Sequence, residues 1–200
     1  MNDDCDDSES VHCDDPELID RAIDGDERAF ARLVDCNQEM LFRSMLRLLG
    51  CPQDAEEAVQ EAFVRAFTRI DSFDGNSKFS TWLYRIAFNA AISGHRKKKP
   101  SVSLDQHVDD YGWEVADGDA AGVADGLLRE ENIRLVHRAL DELSDEHRAV
   151  LVLRELDDLA YKEIGDVLGL TPGTVRSRLS RARSELRHVV QAIQSCVALT

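Results

Sequence analysis

The sequence predicts an all-α protein: two small helical domains joined by a flexible acidic linker, with a helix-turn-helix in the C-terminal one. Three observations carry this reading. Apolar residues recur at helical spacing over most of the 200 residues, and no stretch alternates as a strand would. That periodicity stops between residues 100 and 126, where Gly and Asp accumulate. The run YKEIGDVLGLTPGTVRSRLS, from Tyr161 to Ser180, places turn chemistry between two apolar-periodic segments.

Residues 1–14 are polar, acidic and unpatterned, and read as a disordered tail. Asp15-Pro16 is an N-cap followed by Pro at the first helical position, so a helix starts there and ends before Gly25. A second helix runs from about Glu27 to Leu49, where Gly50 and Pro52 stop it. A third is expected from Asp54, with Asp54 and Glu57 as a capping-box-like pair. Its apolar stripe comprises Ala55, Ala58, Val59, Ala62, Phe63, Ala66, Phe67 and Ile70, all expected to be buried. A loop follows from Asp71 to Ser77. A fourth helix spans about Phe79 to Lys97, with Phe79, Trp82, Leu83, Ile86 and Ala90 inward. Helical patterning resumes near Leu127 and continues to about Ile193. The expected organisation is a tail at 1–14, a helical domain at 15–99, a linker at 100–126 and a second helical domain at 127–193.

The formal net charge of −15 argues at first against nucleic acid, because phosphate affinity comes from clustered positive charge. Its location changes that. Residues 1–20 hold nine acidic residues and residues 101–126 hold seven, with no Lys or Arg in either, so the remaining 154 residues sum to +1. Positive charge concentrates at 85–99, with five basic residues and no acid, and at 176–188, with five Arg against one Glu. No apolar run approaches the roughly 18 residues of a membrane span. The N-terminus lacks the basic and apolar regions of a signal peptide, so a cytoplasmic protein is expected. The five cysteines have no framework spacing. Cys5, His12 and Cys13 lack a fourth ligand, so no metal and no cofactor are expected. The six histidines (His12, His95, His107, His137, His147, His188) form no nucleophile or acid–base pattern, and no Gly-rich phosphate loop is present. The chain does not read as an enzyme.

In the Tyr161–Ser180 run, Gly169-Leu170 makes the turn, Thr171 caps the next helix and Pro172 occupies its first position. Gly165 is small where two helices meet. Val175, Leu179, Ala182 and Leu186 mark one face as buried. Gly173, Thr174, Ser177, Arg181 and Ser184 mark the opposite face, with Arg176 and Arg178 on its flanks. Short polar residues with one Arg suit base edges, and flanking Arg residues suit phosphates. A solvated basic face is the plainer alternative, and dimeric regulators also use this module. The expected duplex-DNA residues are Thr171, Thr174, Arg176, Ser177, Arg178 and Arg181.

The runs GDERAFARLV, DAEEAVQEAFVRAF and FSTWLYRIAFNAAI resemble region 2 of bacterial RNA polymerase sigma factors of the extracytoplasmic-function (ECF) type. LSDEHRAVLVLREL with the helix-turn-helix resembles their region 4, in the same order. The resemblance implies promoter-specific initiation: binding to core RNA polymerase through its β′ clamp helices and β flap, recognition of −10 and −35 promoter DNA, and an anti-sigma factor as partner. It places polymerase binding on Glu56, Glu57, Gln60 and Glu61, beside the plainer reading that first-turn acids favour the helix dipole. It places capture of a −10 base in the loop, at Asn76, Ser77 and Lys78, while Tyr84, Arg85, Phe88, Arg96, Lys97 and Lys98 of the fourth helix read as a single-strand −10 surface, beside the plainer reading of a solvated basic helix end. Tyr84 and Phe88 are expected off the buried stripe, where aromatic faces stack unpaired bases, whereas Trp82 is expected in the core. Ser93-Gly94 and Ala160 depart from the common pattern. The resemblance further suggests that the acidic linker runs through the polymerase, and the tail would screen the basic helices. The alternative from another class is a stand-alone dimeric helix-turn-helix regulator.

Overall fold

The computed structural model describes residues 14–98 and 135–197, with side chains left out at 93–98 and 197. The tail, the linker, the resumption at Leu127 and the Cys5, His12 and Cys13 group therefore lie outside the described residues, save for Asp14. The described residues contain helices and no strand, and none of the helices is long and apolar enough to cross a membrane.

Local signals set the helix starts. Helix α1 (Pro16–Ile23) is capped by Asp15, whose Oδ1 accepts from Glu17 N at 3.1 Å. Helix α2 (Glu27–Leu49) is capped by Asp26, which accepts from Arg28 N and Ala29 N. Those hydrogen bonds and the Arg21 guanidinium, the largest influence, hold the Asp26 carboxyl below its usual range. Helix α3 (Pro52–Thr68) starts two residues before the expected Asp54, because Pro52 occupies the first turn; its N-cap Cys51 makes no side-chain cap. A short 3₁₀ turn (Ile70–Ser72) leads into the loop, and helix α4 runs over Phe79–Lys98, straight through Ser93 and Gly94. Its cap comes from a distance: Asp14 Oδ1 accepts from Ser80 N at 2.9 Å, and Oδ2 from Ser80 Oγ at 3.1 Å. Leu18, Ile19, Phe30, Leu33, Leu41, Met45, Val59, Leu83 and Phe88 are among the residues forming the core between α1, α2, α3 and α4.

The second half begins in a helix over 135–141, here α5. Helix α6 (Asp145–Leu151) is capped by Ser144, and its end widens into a π-helical turn over Val152–Leu156. Asp157 N closes that turn on Val152 O at 3.1 Å, and Asp158 then takes a φ of 55°, which a short polar side chain tolerates. Helices α7 (Tyr161–Leu168) and α8 (Pro172–Val197) complete the half. Ala160 gives α7 no side-chain cap, yet Glu163 reaches back to accept from Ala160 N at 2.8 Å, so half of a capping box remains.

The two halves pack together, which the sequence did not foretell. Helix α7 lies against α4, and α6 with its π turn lies against α2. Arg148 is buried and joins two helix ends. Its Nε donates to Leu140 O, Nη2 to Asp141 O and Nη1 to Leu48 O at the end of α2, each at 2.8 Å. Asp157 crosses to α2 as well: Arg47 Nη1 lies 3.1 Å from Oδ1, and Ser44 Oγ donates to Oδ2 at 2.8 Å. With that proton committed, the Tyr84 hydroxyl, 3.0 Å from Ser44 Oγ, is the donor of their pair. Burial pushes the Asp157 carboxyl up to about 6, against the lowering by Ser44 and Arg47.

Two stability measurements follow. Arg148→Met removes three hydrogen bonds to the carbonyls of Leu140, Asp141 and Leu48, two of them buried, so urea denaturation should show a loss of about 3 kcal/mol; Arg148→Lys should not restore it, since an ammonium lacks the guanidinium fork. Asp157 has a folded value above its ordinary one. Its stabilising contribution is therefore present below the ordinary value of 3.8 and is lost as pH rises through about 6. The Tm of wild type minus that of Asp157→Asn should accordingly fall with rising pH, and a difference that is flat with pH refutes the assignment.

Candidate nucleic-acid interface

The surface of α8 is sorted by ion pairs. Arg178 pairs with Glu146 at 3.0 Å, Arg183 with Glu155 at 2.6 Å, and His147 Nδ1 with Glu185. These contacts rivet α8 to α6 and its π turn. Glu155 raises the Arg183 guanidinium further above its usual value. Arg178, expected as a free flanking cation, is thus turned inward and half-buried, because an acidic first turn of α6 lies beside it. Arg176 and Arg181 stay exposed and make no ion pair among the described residues.

The turn that presents α8 follows from two glycines and two threonines. Gly169 takes a φ of 67°, where a side chain would be strained. At Gly165 an added Cβ would stand 2.6 Å from Leu170 O, so the turn folds back this closely on α7 only over glycine. Thr171 Oγ1 accepts from Thr174 N at 3.3 Å and lies 2.9 Å from Thr174 Oγ1. Val175, Leu179 and Ala182 are buried and Leu186 is half-buried, while Gly173, Thr174, Ser177, Arg181 and Ser184 face solvent. The structure brings the expected polar face together as one strip.

The second cluster lies around the loop before α4. Asp74 accepts from Asn76 N at 3.1 Å and from Asn76 Nδ2 at 2.7 Å, which holds its carboxyl below the usual range. Phe73, Phe79 and Trp82 interlock with ring centroids 5.6–5.8 Å apart, and fasten the loop to the helix. Trp82 is in the core as expected. Asn76 is exposed and Ser77 half-buried. Lys78 pairs with Glu163 of α7 at 3.1 Å. Its ammonium, with the larger effect of the Ala160 N–H, lowers the Glu163 carboxyl.

Two expectations for α4 are corrected. Tyr84 is 3% exposed and Phe88 0%. A helix covered by α2 and α3 on one side and by α7 on another has a much wider buried arc than one stripe. Their rings pack together, 6.0 Å between centroids, and offer no free face for a base. The open ridge carries Arg85 and Asn89, one turn apart. Asn89 was not among the candidates; its i+4 spacing from Arg85 was the available signal. Arg96, Lys97 and Lys98 lie in the helix, but their side chains are outside the described residues.

On α3, Glu56, Glu57, Gln60 and Glu61 all face solvent, with Glu61 paired to Arg65. Val64, 64% exposed, and Phe67, 51% exposed, extend the same ridge. Phe67 had been expected inside; its ring meets Phe30 only edge-on, at 5.1 Å. An acidic ridge ending in two uncovered apolar side chains suits a partner protein better than a nucleic acid.

The chain matches two family models: sigma-70 region 2 over residues 33–100 and sigma-70 region 4 over residues 133–186. It is similar to the ECF RNA polymerase sigma factor SigW of Bacillus subtilis (strain 168), with 43% identity over 169 residues, 82% of this chain and 89% of that protein. It is 35% identical over 180 residues to the ECF RNA polymerase sigma-E factor of Escherichia coli (strain K12), covering 88% of this chain and 94% of that one. Among solved structures it is similar to CnrH in complex with the cytosolic domain of CnrY, with a TM-score of 0.66 and 26% identity, covering 90% of this chain and 99% of that chain.

The turn geometry makes a direct prediction. Gly165→Ala forces Leu170 to move, so the urea unfolding midpoint should fall by an amount equivalent to about 1–3 kcal/mol; an unchanged midpoint would show that the turn has room to spare.

Proposed function

The chain belongs to the ECF-type RNA polymerase sigma factors, and from that premise we propose how its parts divide the work of promoter-directed transcription initiation. The observation that carries the proposal is the separation of the exposed side chains into three chemistries: an unpaired cationic and hydroxyl strip on α8, a polar ridge and rigid loop on α4, and an acidic–apolar ridge on α3.

Residues 127–193 form the −35 reader. Thr171, Thr174 and Ser177 are short enough to approach base edges, and Arg181 has the reach and the fork for a guanine. Arg176 neutralises a phosphate. Arg178 acts through its pair with Glu146, which orients α8, rather than through DNA. Residues 15–99 form the −10 reader. Asn76, Ser77 and Lys78 surround an extruded base, held in place by a turn already ordered by Asp74 and the aromatic trio. Arg85, Asn89, Arg96, Lys97 and Lys98 track the single strand. Tyr84 and Phe88 support that surface from within.

Glu56, Glu57, Gln60 and Glu61, continued by Val64 and Phe67, dock on the β′ clamp helices of core polymerase, and the second half docks on the β flap. The linker at 100–126 lies along the polymerase, where its anionic side chains suit a cationic channel. Work on DNA with polymerase places the protein in the cytoplasm, with no catalytic chemistry of its own. An anti-sigma factor is the further partner that the family resemblance implies here. A stand-alone dimeric regulator leaves the first half without a task and is not favoured.

Sequencing the 5′ ends of transcripts made on genomic DNA by core polymerase plus this chain tests the reading. The expected result is a set of starts sharing two upstream elements. No initiation above core polymerase alone would overturn it. Arg181→Ala should weaken binding to the −35 duplex about tenfold, within the roughly 1–3 kcal/mol of a base contact. Gln60→Ala with Glu61→Ala should abolish capture of core polymerase.

A further inference from the structure

We propose that Asp14 is a positioning residue for the −10 element: its carboxylate, on the segment leading into α1, ties down the start of α4 and so fixes the loop of Asn76, Ser77 and Lys78 in the shape that takes up an extruded base. This rests on the proposed assignment of −10 base capture to that loop, and it gives the carboxylate itself no contact with DNA.

The first turn of a helix leaves its N–H groups without intrahelical acceptors. The residue before α4 is Lys78, whose ammonium donates and cannot accept. Trp82 N reaches back to Lys78 O at 3.1 Å and closes the turn, but the Ser80 N–H needs an acceptor from elsewhere. Asp14 supplies it: Oδ1 accepts from Ser80 N at 2.9 Å and Oδ2 from Ser80 Oγ at 3.1 Å. Both carboxylate oxygens are engaged by one residue, so the grip sets the orientation of the helix start as well as its distance. The negative charge also stands at the positive end of the α4 dipole.

The same segment steadies the other end of the loop. Asp15, next in the chain, caps α1 by accepting from Glu17 N at 3.1 Å. Helix α1 in turn packs on the 3₁₀ turn of Ile70–Ser72 that opens the loop, where Ile70 joins Leu18 and Ile19 in the core. Consecutive carboxylates thus brace the loop at its entry, through α1, and at its exit, directly on Ser80. Between these anchors Asp74 holds the turn at Asn76, with Gly75 at a φ of 68°. Asn76 and Lys78 remain exposed, so the bracing fixes the backbone beneath them and leaves their side chains open to a ligand. A loop ordered in advance loses less conformational freedom on binding than one that the incoming base must order.

The test uses the full chain assembled with core polymerase, and promoter DNA recovered by transcript mapping. The probes are a duplex carrying only the −35 element, a fork whose −10 strand is unpaired, and the same fork made abasic at the −10 position where the wild type loses most affinity. Asp14→Ala should weaken binding to the intact fork about fivefold, the factor expected for loss of an N-cap, and leave the −35 duplex unchanged. On the abasic fork Asp14→Ala and the wild type should bind equally, since the brace then has no base to serve. Asp14→Asn can still accept from Ser80 N and should recover most of the fork affinity. Ser80→Ala, which removes only the hydroxyl contact, should fall between wild type and Asp14→Ala. Equal fork affinities for wild type and Asp14→Ala would overturn the positioning role. So would a loss of the same size on all the probes, which would mark Asp14 as a folding residue only. A wild type that binds every abasic fork as well as the intact one would overturn the −10 assignment itself, and the positioning role with it.

Discussion

The Arg148 guanidinium is the point on which the second half and its seat on the first depend. Helix ends leave carbonyls without intrahelical donors. The C-termini of α5 and α2 come together in the interior, where water cannot serve them. One planar fork meets Leu140, Asp141 and Leu48 at once. The nearest carboxylate oxygen, of Asp141, is 3.6 Å away. Carbonyls at the negative ends of two helix dipoles thus do much of the neutralising. Burial raises the Asp141 carboxyl even with Arg148 beside it, as expected if that carboxylate is not the guanidinium's main partner.

From this seat the remaining polar chemistry falls into two classes. Cations that meet carboxylates position helices: Arg178 and Arg183 bind α8 to the body of its half, and Arg47 receives Asp157 from the other half. Cations of α8 left in solvent, among them Arg176 and Arg181, are free to meet phosphate and bases. The π turn at the end of α6 belongs to the first class. It ends on Asp157, and the left-handed Asp158 then redirects the chain into the helix-turn-helix. One local irregularity serves both the attachment of the halves and the presentation of the reading helix.

Helix boundaries marked by local chemistry were legible: the starts at Asp15 with Pro16 and at Thr171 with Pro172, and the stop at Gly50. Each depends on residues within four positions. The start of α3 was misplaced because Pro52 outweighed an acidic pair, and the cap of α4 was invisible because Asp14 lies 66 positions away in the chain. Exposure on α4 was misjudged for the same reason. A single helix face can be computed from spacing, but the number of neighbours that cover it cannot, and α2, α3 and α7 together bury both Tyr84 and Phe88. Phe67 erred in the opposite direction, since the stripe on α3 is wider than the surface it meets.

The sequence by itself determined the fold class, the helix-turn-helix with its glycines, the segregation of acid into residues 1–20 and 101–126, and the family. Caps, turns, periodicity and charge runs are all short-range signals carried by neighbouring residues. Only the tertiary structure decided which cations are structural, which face of α4 stays open, and that the halves meet through Ser44, Arg47 and Asp157. Those pairings join residues 110 or more positions apart. No local pattern encodes them, because a carboxylate's role is set by what burial places around it.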